Sequence, residues 1–343
     1  MIGKNIRFYR LRKNISLREM AESIGVTSMA ISNYENNKRI PDSGMIYKIA
    51  ESLGVRTTDL LARRNEDLIF MHGEFRRNTR LTKSNQELVR ESVEEYIGRF
   101  YSVVDILGEK VLPEISVGSL FELCDDPEIS ASILRERLLF AKSGPVGNLV
   151  SRLENIGILI IYLDIDIREF SGINGSVSGR PYIAVKSSMT PERKRFTIVH
   201  ELVHMFFGVD NDSHDERICD EVAGVFLLGY TDALRELGPK RTHLLGDAEL
   251  IAKEYGISMG CLARRARDCK IITQNVYEKY CRTASVRGWR KEEPSRIMEE
   301  EPTLFKQLVF RAVSEEEISI RKGAEILHVT PSEIEKVCYP EAV

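Results

Sequence analysis

The chain has 343 residues, 43% hydrophobic and 29% charged, which is room for two or three domains of ordinary globular composition. No apolar run reaches the ~18 residues of a membrane-spanning helix and no secretory h-region follows the first residues, so a cytoplasmic location is expected. The net charge of −3 hides an asymmetry: residues 1–65 carry twelve Lys and Arg against six acids, a local +6, so the remainder carries −9 and a polyanion partner is expected for the first module alone.

In chain order, residues 4–13 predict a basic amphipathic helix with Ile6, Tyr9 and Leu11 available for packing. Ser16 is placed to cap a second helix through Ile24, Gly25-Val26 makes a tight turn, and Thr27 or Ser28 caps a third helix to Glu35. Two more helices are expected at about 43–53 and 57–62. Helix, short Gly-containing turn, helix is the helix-turn-helix unit, whose second helix enters the major groove. The stretch SLREMAESIGVTSMAISNYENNKRIPDSGMIYKIAESLGVRTTDLL resembles the XRE, or lambda-repressor-like, DNA-binding family, with Ala21, Gly25-Val26, Ile31, Tyr34-Glu35, Pro41 and Leu60-Leu61 in register. The resemblance implies that Ser28, Met29, Ser32 and Asn33 face base edges and that Arg10, Asn36 and Lys38 contact phosphates of a double-stranded operator. Two positions depart from the pattern. Leu17 stands where many members have Gln, and Asn37 replaces a common Gly, which Asn can manage because it tolerates a left-handed backbone.

Residues 66–113 predict a helical connector, with Leu88, Val93, Tyr96, Ile97, Phe100, Val103 and Val104 at helical spacing, ended by Gly108 and Pro113. Two helical stretches joined by a Gly-Pro turn follow, then the continuous apolar run Ile158–Leu163, which reads as a buried strand. FSGINGSVSGR is expected to be a Gly/Ser loop leading to a second strand, Tyr182–Lys186. The six cysteines show no C-x-x-C spacing and are expected to be reduced thiols.

Thr190 to Gly208 is a well-marked helix, with an N-cap, Pro at its first position and Gly as its left-handed stop. Its second half is apolar on nearly every side except at HELVH. His200 and His204, four apart, project from one face, and Glu201, about 100° round the helix, borders the same place. A core helix has no structural reason to bury two imidazoles and a carboxylate, so the spacing points to two metal ligands and a general base. A catalytic metal needs a third protein ligand, and the candidates are His214, Asp215, Glu216, Asp220 and Glu221. Glu216 ranks first because it begins an amphipathic helix with Ile218, Cys219, Val222, Ala223 and Phe226 turned inward; His214 and Asp220 follow. Asp220, one turn on, is also placed to orient a ligand from behind.

The segment EFSGINGSVSGRPYIAVKSSMTPERKRFTIVHELVHMFFG, followed by SHDERICDEVAGVFLL, is similar to the ImmA/IrrE family of zinc metallopeptidases over roughly residues 115–290. That resemblance implies His200, His204 and Glu216 as metal ligands, Glu201 as general base, and a protein substrate such as a helix-turn-helix repressor. Val203 and Asp220 depart from the residues most frequent in the family, and no Pro follows Leu227-Leu228-Gly229.

Beyond it, 247–272 reads as two short helices, RGWRKEEPSRIMEEEP as a polar loop, and EISIRKGAEILHVTPSEIEKV as a packing unit with a weak helix-turn-helix rhythm. The expected architecture is α+β and mostly helical: a five-helix DNA-binding domain at 1–65, a connector at 66–113, a zincin-like metallopeptidase with a small sheet at 114–290, and a helical tail at 291–343. The expected function is a homodimeric transcriptional regulator with a zinc-dependent endopeptidase, manganese or iron remaining open as the metal. The alternatives are a non-enzymatic ligand or metal sensor and an antitoxin-like autoregulator.

Overall fold

The computed structural model describes residues 2–62, 67–73, 75, 81–115, 121, 123–208, 213–244, 246–289 and 292–339, with only the backbone at 213–215. The first five helices are α1 (Ile2–Arg12), α2 (Leu17–Ile24), α3 (Ser28–Glu35), α4 (Ser43–Leu53) and α5 (Thr57–Leu61). Ser16 and Glu19 cap α2 reciprocally: the Glu19 N–H donates to Ser16 Oγ at 3.1 Å, and the Ser16 N–H donates to Glu19 Oε2 at 2.7 Å. Thr27 caps α3 through its Oγ1, which accepts from the Ala30 N–H at 3.2 Å. Ile6, Met20, Ile31, Ile49, Leu53 and Leu60 form the closed apolar centre. Asn37 takes the left-handed conformation expected of it, with φ 55°, and its Oδ1 accepts the Gly3 N–H at 3.1 Å.

The rest of the described chain is built on four strands, β1 (Phe70–His72), β2 (Leu159–Leu163), β3 (Gly172–Val177) and β4 (Arg180–Lys186), in the order β1-β3-β4-β2. Only the β2–β4 pair is parallel. Alternate residues of the two apolar strands enter different cores. Ile160, Ile183 and Val185 face one, and Leu159, Ile161, Leu163, Tyr182 and Ala184 face the other. The first core is closed by α7 (Pro127–Arg137), α8 (Leu149–Asn155), α9 (Pro191–Phe207), α10 (Ser213–Leu227), α11 (Tyr230–Leu237), α12 (Asp247–Tyr255), α13 (Met259–Asp268) and α14 (Gln274–Val286). The second is closed by α6 (Lys83–Leu107) and α15 (Leu304–Ser314), joined by Ile326 of α16 (Ile320–Leu327). The last helix is α17 (Pro331–Cys338), whose Ile334 packs with Val313 and Ala324. No helix among the described residues is long and apolar enough to cross a membrane.

Two expectations change. The Gly/Ser stretch is strand β3, not a loop. Its glycines sit where a side chain would collide: a Cβ at Gly175 would lie 2.4 Å from the Tyr182 hydroxyl, and one at Gly172 would lie 2.8 Å from Thr197 Cγ2 and 3.0 Å from Glu201 Oε1. Close approach, not flexibility, selects them. The connector contributes strand β1, which pairs with β3 from Phe70↔Val177 to His72↔Gly175, so it belongs to the sheet as well as to a helix. The polar segment before α15, described from residue 292, is irregular as expected and is tied to the core. Glu300 accepts the Leu149 and Val150 N–H groups at 2.9 and 3.1 Å, pairs with the buried Arg195, and offers its carbonyl to the Tyr162 hydroxyl at 2.5 Å.

Between the first module and α6, Lys4 Nζ stands 3.4 Å from Glu94 Oε2 and Arg7 pairs with Glu87. On its other side Glu94 Oε1 lies 3.1 Å from His72 Nε2, which links α6 to β1.

Candidate metal centre

Helix α9 runs from Pro191 to Phe207 with Thr190 as N-cap and Gly208 as C-cap. It passes through the first core, so apolar neighbours exclude water from its centre, and His200, Glu201 and His204 are 4%, 9% and 7% exposed. Helix α10 packs against it and delivers Glu216 from its first turn.

The three side chains converge. His200 Nε2 and His204 Nε2 are 3.2 Å apart, His200 Nε2 is 3.2 Å from Glu216 Oε2, and His204 Nε2 is 3.7 Å from Glu216 Oε1. A tetrahedral ion with bonds of about 2.0–2.1 Å separates its ligand atoms by about 3.3–3.4 Å. The donor set therefore fits three vertices around one transition metal, in both chemistry and spacing. The side chains of His214 and Asp215 lie outside the described residues. Glu221 faces Arg217 at 3.7 Å.

Asp220 stands behind His200, its Oδ1 3.1 Å from Nδ1 and its Oδ2 3.7 Å from Arg264 Nη1. A carboxylate on the far ring nitrogen fixes which nitrogen faces the ligand position. Burial opposes a charge on the His200 ring, but the hydrogen bonds with Asp220 and Glu216 and the Glu201 charge outweigh it, raising its pKa to about 9. A proton then holds together groups that a cation is suited to hold.

Glu201 lies on the strand side of α9. Its Oε2 accepts from Asn174 Nδ2 at 2.8 Å, and its Oε1 and Cγ lie against the bare Cα of Gly172. The centre opens into a cleft of about 680 Å³, bordered by Phe170, Arg193, Phe196, Arg264 and Tyr277. Asn174 is the residue that sequence reasoning missed. Inside a Gly/Ser-rich run it reads as turn composition, and the available signal was its alternation with Ile173 and Val177, which face the opposite core.

In the first module, Ser28, Met29, Asn36 and Lys38 are exposed and Ser32 and Asn33 are half-buried, all on α3 or just past its end. Asn36 Nδ2 donates to the Ser32 carbonyl at 2.8 Å. Arg10 differs. It is 7% exposed, with Nε and Nη2 donating to Glu35 and Nη1 donating to the Ile15 carbonyl at 2.8 Å, so its guanidinium is an internal tie and not a phosphate contact.

Among known proteins, a family model described as a helix-turn-helix domain matches residues 3–66, and a peptidase-family model described as the IrrE N-terminal-like domain matches residues 153–267. No curated protein and no solved structure gives a match. The second matched segment spans α9, α10 and all three candidate ligands. The chain is thus a fusion of an XRE-like helix-turn-helix DNA-binding module with an α+β domain of ImmA/IrrE type.

Proposed function

We propose that the chain is a DNA-binding regulator whose second domain is a metal-dependent endopeptidase acting on a protein, with a repressor of the helix-turn-helix type as substrate and phage, mobile-element or stress genes as the output. The observation that carries this reading is the convergence of His200, His204 and Glu216 with Glu201 alongside, at the head of an open cleft. A metal held by those three side chains, zinc by default, would supply Lewis acidity toward the scissile carbonyl and toward water. Glu201 takes a proton from the attacking water and delivers it to the leaving nitrogen. Asp220 keeps the His200 ring turned toward the site, and the surrounding core excludes bulk water, which strengthens each charge interaction.

In the first module Ser28, Met29, Ser32 and Asn33 read base edges, and Asn36 and Lys38 anchor phosphates. Two copies on a palindromic operator are expected, since half-sites mirror protein symmetry. A cytoplasmic location follows from the DNA partner. The division of labour is a DNA reader at 1–65 and a metal-binding body from 67 onward, with α6 and β1 part of that body.

The test is incubation of the zinc-loaded protein with purified helix-turn-helix repressors from the same cell, followed by mass spectrometry. A single internal cut, absent with Glu201→Gln, supports the reading. An intact repressor, together with metal-dependent DNA binding, replaces it with a sensor.

A further inference from the structure

We propose that Asn174 is the positioning residue for the Glu201 carboxylate, an inference that rests on the peptidase reading. A glutamate side chain has three rotatable bonds, and a general base works only within hydrogen-bond reach of the proton it takes. Something must therefore hold Glu201. Among the described residues the hydrogen-bond donor to its carboxylate is Asn174 Nδ2, at 2.8 Å from Oε2. A carboxylate oxygen accepts, so the amide presents its nitrogen there.

Asn174 is itself held on both sides of its strand. In the ladder it is opposite Ile183 of β4, and its carbonyl accepts the Gly73 N–H at 2.7 Å from the end of β1. Two residues earlier on the same face, Gly172 leaves the room that the carboxylate occupies, since a Cβ there would stand 3.0 Å from Oε1 and 3.2 Å from Cγ. One position clears space for Glu201 and the other fixes its direction. Oε2 is the oxygen that the strand's amide holds, at 2.8 Å. Ile173, between them, faces the opposite core, so the strand register presents both residues to α9.

The experiment uses the full chain and two readouts. In the metal-free protein, the Asn174 side-chain amide signals are assigned by their loss in Asn174→Ala and compared with those in Glu201→Gln; a charge-assisted hydrogen bond predicts a downfield amide proton that moves upfield when the carboxylate becomes an amide. In the zinc-loaded protein, cleavage of denatured casein should show kcat reduced roughly 10- to 100-fold in Asn174→Ala, with KM and metal content held within about twofold. Asn174→Asp, which sets a second carboxylate against the first, should fall further, and Asn174→Gln, which keeps the donor, should recover part of the loss. An amide signal indifferent to Glu201→Gln, or kcat unchanged in Asn174→Ala, overturns the proposal. A shifted amide signal in a wild type that cleaves nothing upholds the positioning and overturns the peptidase reading instead.

Discussion

Arg10 and Glu35 form a buried two-pronged ion pair between α1 and α3, with Nε 2.5 Å from Oε1 and Nη2 3.0 Å from Oε2. The pair sets the seating of the helix expected to enter the major groove. Arg10→Ala would leave Glu35 charged and buried, at a cost of about 3–5 kcal/mol, comparable to the whole stability of so small a module. The expected outcome is loss of module folding, seen by circular dichroism, with specific and non-specific DNA binding lost together. Lys38→Ala, at an exposed position, should instead keep the fold and lower the salt slope of DNA binding by about 1.

Metal analysis of the purified protein should give one transition-metal ion per chain, and His204→Ala should abolish stoichiometric binding. Asp220→Ala should keep the ion but weaken it by roughly 10- to 100-fold, because it removes the partner of His200 Nδ1 and not a donor. Isothermal titration of the metal-stripped protein with zinc separates the two cases. Equal affinities in both variants and wild type would remove the centre from these residues.

Glu201→Gln should retain the metal and the helix, since Gln is nearly isosteric and a good helix former. Cleavage should fall by about 100-fold or more, the ordinary contribution of a placed proton acceptor. DNA binding should persist. Repressor levels followed by immunoblot in cells carrying this variant decide the matter: they should rise, and unchanged levels would assign the centre to sensing.

Glu300 predicts a purely structural loss. Glu300→Ala strips Arg195 of its carboxylate and leaves the Leu149 and Val150 N–H groups without their acceptor, so a destabilisation of about 3 kcal/mol or more is expected. The neighbouring Glu301, paired with Lys306 and with its side chain 59% exposed, should matter by less than about 1 kcal/mol when changed to Ala. Chemical denaturation of the two variants makes the comparison.

Glu94 gives a pH signature at the contact between α1 and α6. Burial opposes its charge, but the hydrogen bond with His72 and the Lys4 charge outweigh burial and hold the carboxyl below its ordinary 4.5. A depressed carboxylate stabilises the folded state above the unfolded value, and that contribution disappears as pH falls through the folded value. The stability difference between wild type and Glu94→Gln should therefore be constant from neutral pH to about 5 and shrink below 4.5. Denaturant midpoints measured across that range test it; a difference that grew on acidification would contradict it.

Local signals were legible wherever a local cause set the structure. Ser16 with Glu19, Thr190 with Pro191 and the apolar run into β2 each announce an element boundary, and the i, i+4 spacing of His200 and His204 puts two rings on one face before any fold is known. What stayed hidden depends on distant partners. The three residues of β1 are too short to show alternation, and the glycines of β3 read as loop because the atoms they avoid, on Tyr182 and Glu201, come from other elements. Arg10 looked like a surface cation because Glu35, 25 residues on, is what buries it. The alternation around Asn174 could show its face but not its role, which is a contact with α9.

The pairing of β1 with β3 decides where this protein can be divided. Cutting at residue 114, the end of the expected connector, would strip a strand from one edge of the sheet and remove the apolar floor that α6 lays beneath Leu159, Ile161 and Val177. Such a fragment would present an unpaired strand edge beside a bare hydrophobic patch, the combination that leads to self-association. A fragment beginning at residue 67 keeps strand and floor together. The exchangeable unit is therefore the DNA reader alone, and a hybrid carrying a different reader should be joined ahead of Asp67 to remain soluble.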